Sequence, residues 1–445
     1  MRTRPMNDLE ADRQPMPVSS AALLTFASQI AQLAAGTVTA VLIARLLGPA
    51  GKGIVSLVTL TGGLAITFGG LGVPMYHGCV AGKGEFSRAA LRRNALVCAV
   101  LGSLMMALFG ALVWLSGTLD VSAVPMVWVI ATVPAGLLMK NLAGIFQGEG
   151  RFGEYNSVGL VLWLVIPVAT AVLVFSVGGV HAALAAWWLG HVVASTLAWR
   201  WTRGDRSSGP NAALLRASLE FGLAVWCVQL IGEANWRFDN YVAAFFGGVE
   251  GVGYYSVAVS ITNLLFHLPS AIGTGVLPRM ATATGADAAR LAGVGCRISL
   301  WSSAAFALVL ALVARPLIRL LFGAAFEPAV VPLLWLLPGV VLYALAHVTT
   351  SYFYGQAGRP MLNGLVALIS LVVGLVASVL LAPRYGLAGI AAAVSIGRGV
   401  AIAVNLLIFT RLSGCRLIDA LLPRRSDLAI VLTPLRQLWP QARPA

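Results

Sequence analysis

The sequence predicts an all-α protein that crosses a membrane about twelve times, in two related six-helix lobes around a central cavity. Its 445 residues are 59% hydrophobic and only 10% charged, with a mean hydropathy of +0.87, whereas soluble proteins are near 45–50% apolar and about 25% charged. The apolar residues form blocks of about 20, the length that crosses roughly 30 Å of hydrocarbon. The two halves of the chain also resemble each other. These observations exclude a soluble globular enzyme.

The hydrophobic blocks define the individual helices. A window of about 19 residues, interrupted at charged or Gly/Pro-rich points, gives twelve candidate spans with short connections. They are 19–44, 53–80, 94–116, 121–147, 155–176, 180–201, 217–246, 251–280, 294–322, 328–355, 361–382 and 386–411. The apolar stretch after the polar first 18 residues is too long for a signal-peptide core, so we expect no cleaved leader.

The spans divide the chain into two lobes with polar extensions. We expect an N-terminal tail, an N-lobe of spans 1 to 6, an inter-lobe linker, a C-lobe of spans 7 to 12 and a C-terminal tail, over 1–18, 19–202, 203–216, 217–412 and 413–445. The last of these carries several Arg and Pro residues, and we expect it to be disordered or to skim the membrane surface.

The basic residues lie mainly on one side of the predicted spans. With both termini and the even-numbered loops on one side, that side holds 23 of the 30 Lys and Arg residues. The positive-inside rule makes this side cytoplasmic. The net charge of +14 then reflects membrane topology, and we expect no nucleic-acid partner.

The cysteines and the known phosphate motifs offer no catalytic or metal chemistry. The five cysteines are an odd number, and none lies in a CxxC pair or beside a histidine at metal-ligand spacing. A GxxxxGK[ST] phosphate loop is also missing from the sequence. We therefore expect no catalytic residue, no metal, no cofactor and no ATPase activity in this chain.

An internal repeat relates the two lobes. The segment LLGPAGKGIVS (46–56) returns as FGGVEGVGYYS (246–256), with three glycines aligned at an offset of 200. At an offset of 207, FQGEGRFGEYN (146–156) aligns with FYGQAGRPMLN (353–363), and the match continues through Gly179 and Gly386. Because each half holds an even number of spans, the repeat is parallel, about an axis along the membrane normal. This arrangement favours alternating access by rocking of the lobes.

Five segments carry a family resemblance. They are ARLLGPAGKGIVSL (44–57), QGEGRFGEYN (147–156), RFDNYVAAFFGGVEGVGYYSVA (237–258), LPSAIGTGVLPRMA (268–281) and PRYGLAGIAAA (383–393). Together they resemble the Wzx-type polysaccharide-biosynthesis flippases of the multidrug/oligosaccharidyl-lipid/polysaccharide superfamily. The resemblance implies a bacterial inner-membrane protein that moves an undecaprenyl-diphosphate-linked oligosaccharide to the periplasmic side. It also implies membrane lipids, and possible polysaccharide polymerase and export machinery, as partners.

Charged residues within span 7 are the first candidates for the cargo site, because a charge at mid-bilayer costs at least about 2.5–3.5 kcal/mol. Gln229, Glu233, Arg237 and Asn240 have helical spacing and share one face. Two alternatives remain open here: Arg237 receives the diphosphate, or it is neutralised by Glu233 four residues away. Asp239 lies on another side of the helix, where we expect a role in coupling or gating.

Three further basic or titratable residues are candidates for the same cavity. Arg398 lies within span 12, and the 207 offset places His191 of span 6 at the equivalent position. Such a pair suits an anion site near the pseudo-axis, although a lone membrane histidine is more often a packing residue. Lys140 in span 4 is either a third cavity cation or a side chain that snorkels to the interface.

Uncharged and peripheral residues complete the candidate set. Gln29 and Gln32 in span 1 suit sugar hydroxyls, but also helix–helix hydrogen bonding. Arg45 flanks the first external turn, where it is a gating candidate or a helix-end anchor. His347 and two other histidines are weaker candidates for sensing protons near neutral pH.

Other functions fit the sequence less well. A membrane glycosyltransferase or polymerase needs paired carboxylates on a sizeable external loop, and the predicted external loops are short and hold isolated acids. A cation-coupled drug antiporter of the same superfamily would share the two lobes, but here the cations within the spans outnumber the acids. A lipid II flippase is a further alternative. It is disfavoured because some relatives have fourteen spans, whereas this sequence predicts twelve.

Overall fold

The computed structural model describes residues 18–115, 123–203, 211–283, 285–359 and 361–424. Within these ranges the regular structure is entirely helical, which confirms the predicted all-α class. Nine helices in these ranges are long and apolar enough to cross a membrane. The protein is therefore a polytopic membrane protein. Most of the predicted terminal tails, and half of the predicted inter-lobe linker, lie outside the described residues.

The helices follow the predicted spans closely. They are α1 Val18–Gly69, α2 Val73–Ala81, α3 Arg88–Leu115, α4 Ala123–Gly148, α5 Phe152–Ser176, α6 Gly179–Trp201, α7 Ala212–Thr282, α8 Gly285–Leu321, α9 Val330–Gly355, α10 Met361–Ser413 and α11 Leu417–Leu421. A short 3-10 helix, Ala324–Ala329, precedes α9.

Three of these helices each contain two predicted spans joined at one glycine. The backbone is non-helical at Gly48 (φ 66°, ψ −173°), Gly248 (φ 63°, ψ −165°) and Gly386 (φ 56°, ψ −136°). Positive φ is readily accessible only to glycine. A single residue therefore replaces each loop that the sequence suggested between spans 1 and 2, 7 and 8, and 11 and 12. Nine long helices thus accommodate the twelve spans.

The same glycines support the internal repeat. Gly48 and Gly248, which the 200 offset aligns, have nearly the same backbone conformation. Gly179 and Gly386, which the 207 offset aligns, both have positive φ, at 77° and 56°. The repeat is therefore visible in local backbone geometry as well as in residue identity.

The second predicted span departs from a continuous helix. The expected helix over 53–80 is interrupted between α1 and α2, where Leu71 (φ 45°) and Gly72 (φ 69°) have positive φ. Pro74 then lies in the first turn of α2, where its missing N–H leaves no intrahelical bond unmade. The sequence did not predict this break.

The chain forms two compact units, Met1–Leu230 and Ile231–Ala445, and the boundary falls within α7. In the first unit, α5 packs on α1 and α6, and α4 packs on α2, α3 and α6. Glycines on α2 and α4 allow a close approach: a methyl group on Gly144 would overlap the carbonyl oxygen of Pro74, and one on Gly148 that of Gly78. Small residues at helix contacts are typical of membrane proteins.

The beginning of α7 packs within the first unit. Trp226 donates from Nε1 to the carbonyl oxygen of Phe68 at 2.9 Å. Nearer the start of α7, the hydroxyl of Ser218 accepts from the side-chain amide of Asn94 at 3.1 Å. These residues precede the unit boundary after Leu230, so this part of α7 is held by the helices of the first unit.

In the second unit, α9 lies between α8 and α10, and the short helix α11 returns to α8. Phe353, Phe409 and Ala420 are fully buried in this core. The first residues of the predicted C-terminal tail are therefore packed, in contrast to the expected disorder. Large apolar side chains such as Leu308 and Leu312 on α8 are exposed, as expected for surfaces that face lipid.

Candidate functional site

The charged residues at the middle of α7 form an ion pair. Arg237 donates from Nε to Oε2 of Glu233 at 2.6 Å, and the two side chains are 28% and 31% exposed. The spacing of four residues places one above the other on the helix. Arginine has five N–H donors, so this pair occupies only part of the guanidinium. The two alternatives that the sequence left open, pairing and ligand binding, are thus compatible.

Asp239, two residues further along α7, is buried and held by neutral donors. It is 3% exposed. One carboxylate oxygen accepts bonds from the backbone and side-chain amides of Asn240, both at 2.9 Å, and the other accepts from the hydroxyl of Tyr255 at 3.0 Å. Tyr255 follows the bend at Gly248, so this carboxylate connects the two arms of α7.

Arg398 on α10 is also buried, at 8% exposure, and aromatic rings surround it. Its guanidinium carbon lies 5.5 Å from the ring centre of Trp236, 5.4 Å from that of Phe266 and 5.8 Å from that of Tyr343. We refer to these three residues as the aromatic cage. Cation–π attraction at a desolvated site is worth about 2 kcal/mol. The cage therefore stabilises a positive charge inside the second unit.

The cage leaves the hydrogen-bonding capacity of Arg398 unfilled. The ring faces attract the cation. They do not take the place of the carbonyl or carboxylate oxygens that its five N–H groups require as hydrogen-bond acceptors. Among the described residues, none accepts a hydrogen bond from this guanidinium, although the carboxylate of Asp239 attracts it electrostatically. Buried donors are normally satisfied, so this group suits an oxygen-rich anionic ligand.

Sequence reasoning missed the cage residues themselves. The ring of Trp236 meets that of Phe266 edge-on at 5.0 Å and that of Tyr343 at 5.9 Å. His347 extends the cluster, with its ring 6.0 Å from that of Phe266 and 6.4 Å from that of Tyr343. Two sequence features could have drawn attention to these residues: Trp236 is next to Arg237, and Tyr343 and His347 are four residues apart. Neither links these residues to Arg398.

In the first unit, the predicted residues Lys140 and His191 lie within electrostatic reach of each other. Lys140 is exposed and donates to the hydroxyl of Thr67 at 3.1 Å. His191 is buried, its Nδ1 is 3.0 Å from the carbonyl oxygen of Trp187, and the two rings meet edge-on. A carbonyl oxygen only accepts, so Nδ1 carries the proton. This histidine has the packing contacts that are common for a lone membrane histidine.

The uncharged candidates divide between packed and exposed positions. Gln32 donates to the hydroxyl of Ser28 at 3.0 Å, which is a contact within α1. Gln29, Gln229 and Arg45 are exposed. Their exposure permits contact with a ligand and does not by itself place them in a site.

A buried polar network in the first unit was also not predicted. His77 is fully buried, with Nδ1 3.1 Å from the carbonyl oxygen of Asn141 and Nε2 3.0 Å from the side-chain amide of Asn94. Asn94 also donates to Ser218, and Asn141 donates to the carbonyl of Ala95 at 3.1 Å. The network joins α2, α3, α4 and the beginning of α7 without a carboxylate. Its contacts indicate a structural role.

Within the described ranges, no group of three His, Cys, Asp or Glu side chains is arranged to hold a metal ion. The chemistry available there is hydrogen bonding and charge, concentrated around Arg237, Asp239 and Arg398 in the second unit. These are the groups to compare with known proteins.

Two family models match the chain. One, described as "Polysaccharide biosynthesis protein", matches residues 20–284. The other, described as "Lipid II flippase MurJ", matches residues 156–424. Each match covers more than half of the sequence. No curated protein sequence matches the chain.

Several solved structures are similar in fold. The lipid II flippase MurJ in an inward closed conformation matches with a TM-score of 0.69 and 14% identity, over 94% of this chain and 93% of that chain. An inward-facing multidrug resistance MATE family transporter of the MOP superfamily matches with a TM-score of 0.65 and 19% identity, over 86% and 95%. A MOP superfamily transporter from Pyrococcus furiosus, whose binding pocket is described as having reverse polarity, matches with a TM-score of 0.61 and 18% identity, over 88% and 94%.

Proposed function

Because the chain belongs to the polysaccharide-biosynthesis flippase family of the MOP superfamily, we propose that its cargo is an undecaprenyl-diphosphate-linked oligosaccharide. The protein moves this lipid from the cytoplasmic to the periplasmic leaflet of the bacterial inner membrane by alternating access. The pathway is the synthesis of a surface polysaccharide, O-antigen or exopolysaccharide. Both termini are cytoplasmic in this proposal, as the distribution of basic residues favours.

The observation that carries the proposal is the buried Arg398. Its charge is stabilised by the aromatic cage, and none of the described residues accepts its hydrogen bonds. A diphosphate offers several charged oxygens, and the planar guanidinium binds two of them at once. Asp239 attracts the same guanidinium, so it holds Arg398 in place when no cargo is bound.

Arg237 supplies a second cation in the proposed site. Its Nε is bound to Glu233, which fixes the side chain and leaves its Nη donors for a phosphate oxygen. Lys140 and His191 remain candidates for contact with the cargo within the first unit, and Gln29, Gln32 and Gln229 are candidates for contact with its sugar hydroxyls. In this proposal Asp239 and Arg45 act in coupling or gating.

Two other cargos have specific support. The match to the lipid II flippase model over residues 156–424 favours a lipid-linked peptidoglycan precursor, which carries the same diphosphate. The similarity in fold to a multidrug resistance transporter favours a cationic drug. Among the charged candidates within the predicted spans, the three cations Arg237, Arg398 and Lys140 outnumber the two acids Glu233 and Asp239, which argues against the drug. The diphosphate chemistry is common to the two lipids.

The test uses cells in which the protein is depleted. We expect the lipid-linked oligosaccharide to accumulate on the cytoplasmic leaflet, because its headgroup cannot cross the hydrocarbon unaided. Accumulation of lipid II would assign the second cargo instead. A normal distribution of both lipids together with drug hypersensitivity would contradict the proposal. Polysaccharide polymerase and export proteins are the expected partners, and affinity purification from the same cells tests that association.

A further inference from the structure

A second basic pocket lies in the second unit, at the end where α8 begins and α10 ends. It has a volume of about 400 Å³, which falls within the ~300–1,000 Å³ typical of small-ligand sites. Its walls come from the first turns of α8 and from the segment after α10. The residues used below are Arg290, Gly293, Arg297, Cys415, Asp419 and Arg424. None of them belongs to the cluster around Arg398.

Positive charge predominates in this pocket. Three arginines line it, against the single carboxylate of Asp419, which pairs with Arg424. Arg297 is 4% exposed and donates to the backbone carbonyl of Asp419, a neutral acceptor. Arg290 is exposed at the edge of the pocket. The residues that line the pocket therefore carry three positive charges and one negative charge.

The thiol in the wall does not offset this charge. Burial raises the pKa of Cys415, and the nearby negative charge of Asp419 raises it further. The thiol is thus protonated and neutral at physiological pH. Cys415 contributes volume and polarity to the pocket, but no negative charge.

Small residues and a fixed wall keep the pocket open. A methyl group on Gly293 would lie 3.5 Å from the carbonyl oxygen of Asp419 and 3.6 Å from the Sγ of Cys415, so a larger side chain would fill the space. The segment after α10 is held against α8 by Trp301, which donates from Nε1 to the carbonyl oxygen of Leu421 at 2.9 Å. Ala420 of α11 is fully buried. The pocket is therefore part of the packed unit.

The position of the pocket along α8 indicates its surroundings. The helix has 37 residues, or about 55 Å at 1.5 Å per residue, whereas the hydrocarbon core is about 30 Å thick. The predicted span begins at residue 294, so we expect Arg290 to lie at the level of the lipid headgroups. Phosphate is the anionic group that phospholipid headgroups share.

We propose that this pocket binds a phosphate group, carried by an anionic phospholipid headgroup or by a soluble phosphate ester. Arg290 and Arg297 provide the charge-assisted hydrogen bonds that bind phosphate oxygens. The site is separate from the proposed cargo site, and its occupancy does not depend on the identity of the cargo.

The experiment uses the purified full-length protein and two probes. Native mass spectrometry counts the phosphatidylglycerol molecules retained in a mixture with phosphatidylcholine. Thermal denaturation measures stabilisation by glycerol 3-phosphate. We expect Arg290→Ala to weaken binding of the effective probe about fivefold, the factor that ~1 kcal/mol per basic side chain near an anionic surface gives. Arg290 is exposed, so the variant should fold.

Two further variants separate the pocket from general surface charge. Arg359→Ala removes an exposed arginine from the α9–α10 connection of the same unit and should leave binding unchanged. Ala286→Phe adds bulk at the exposed edge of the pocket and should reduce binding without removing charge. Retained phosphatidylglycerol would identify the ligand as a lipid headgroup. Stabilisation by glycerol 3-phosphate alone would identify it as a soluble phosphate ester. Binding of neither probe, or equal losses in Arg290→Ala and Arg359→Ala, would overturn the proposal.

Discussion

Residues at equivalent repeat positions make local contacts in the first unit and distant contacts in the second. The 200 offset pairs Thr39 with Asp239. The hydroxyl of Thr39 donates to the carbonyl oxygen of Ala35 at 2.8 Å, one turn back in its own helix. Asp239 accepts from its neighbour Asn240 and, in addition, from Tyr255 on the other arm of α7. The threonine is satisfied by its own helix, whereas the buried carboxylate depends on tertiary structure.

The pair at the 207 offset shows the same contrast. His191 uses the carbonyl oxygen of Trp187, again one turn back. Arg398 is surrounded by the aromatic cage, whose three residues come from α7 and α9. A side chain that forms its hydrogen bond within its own helix stabilises that helix alone. A charge that is stabilised by residues from several helices is costly to keep in a membrane.

The comparison indicates how the duplicated scaffold has specialised. Both units keep the glycine bends, at Gly48 and Gly248, so the backbone design is shared. At the two pairs of repeat positions, the second unit has the buried charges Asp239 and Arg398 where the first unit has Thr39 and His191. We infer that charged residues of the second unit provide the main electrostatic contacts to the proposed cargo.

The largest effect is expected from Arg398→Ala. Export of the polysaccharide should fall about 10-fold to 100-fold, because hydrogen bonds to charged groups contribute ~1.5–3 kcal/mol. His191→Ala, at the equivalent first-unit position, should keep most of the activity. Complementation of a deletion strain, normalised to the amount of folded protein in the membrane, measures both.

Arg398→Lys separates charge from geometry, because it keeps the positive charge and removes the planar guanidinium group that can bind two oxygens. Partial export by the lysine variant would show that geometry matters as well as charge. If His191→Ala lost as much export as Arg398→Ala, the contrast between the units would not extend to function.

Asp239→Asn should lower the stability of the protein by about 2 kcal/mol, because it removes a buried charged acceptor and the negative charge that faces Arg398. Thr39→Val at the equivalent position should cost less than ~1 kcal/mol, since only a local neutral hydrogen bond is lost. Thermal denaturation in detergent compares the two variants. Equal losses would mean that the buried carboxylate has no greater structural importance than the threonine.

Gly48→Ala and Gly248→Ala test what the units share. Each forces a side chain into a positive-φ extended region that is essentially restricted to glycine, at a cost of ~1–3 kcal/mol. We expect nearly equal decreases in the free energy of unfolding. Gly110→Ala is the matched control, because Gly110 is helical and a methyl group there meets no atom within 4 Å. A large difference between the two bends would contradict the structural equivalence of the repeats.

The smallest effect is expected from Glu233→Gln. The pair with Arg237 is partly exposed, and such i,i+4 pairs contribute about 0.3–0.5 kcal/mol. Export should persist, since the role proposed for Glu233 is to orient Arg237 and not to bind phosphate. A loss of export as severe as that of Arg398→Ala, in a protein that still folds, would show that the ion pair itself is needed for transport.

Periodicity and charge predicted the features that depend on nearby residues. The helical class, the positions of the spans and the glycine repeat were all accessible from the sequence. The Glu233–Arg237 pair was foreseen as one of two alternatives because the spacing of four residues fixes its geometry. Local rules of this kind do not require knowledge of how helices pack.

Features that depend on long-range packing were not accessible. Arg398 is far along the sequence from Trp236 and Phe266, and no periodic pattern links them. The network of His77, Asn94 and Ser218 likewise joins helices whose contacts follow from packing alone. The break at Leu71 was missed because a bulky residue at positive φ contradicts local preference.

Binding of an undecaprenyl-diphosphate-linked saccharide to the purified protein tests whether arginines of the second unit hold the diphosphate. We expect the double variant Arg237→Ala/Arg398→Ala to bind at least about tenfold more weakly than the wild type, and Arg359→Ala to bind normally. Wild-type affinity in the double variant, with its fold verified by thermal denaturation, would contradict the claim that arginines of the second unit hold the diphosphate.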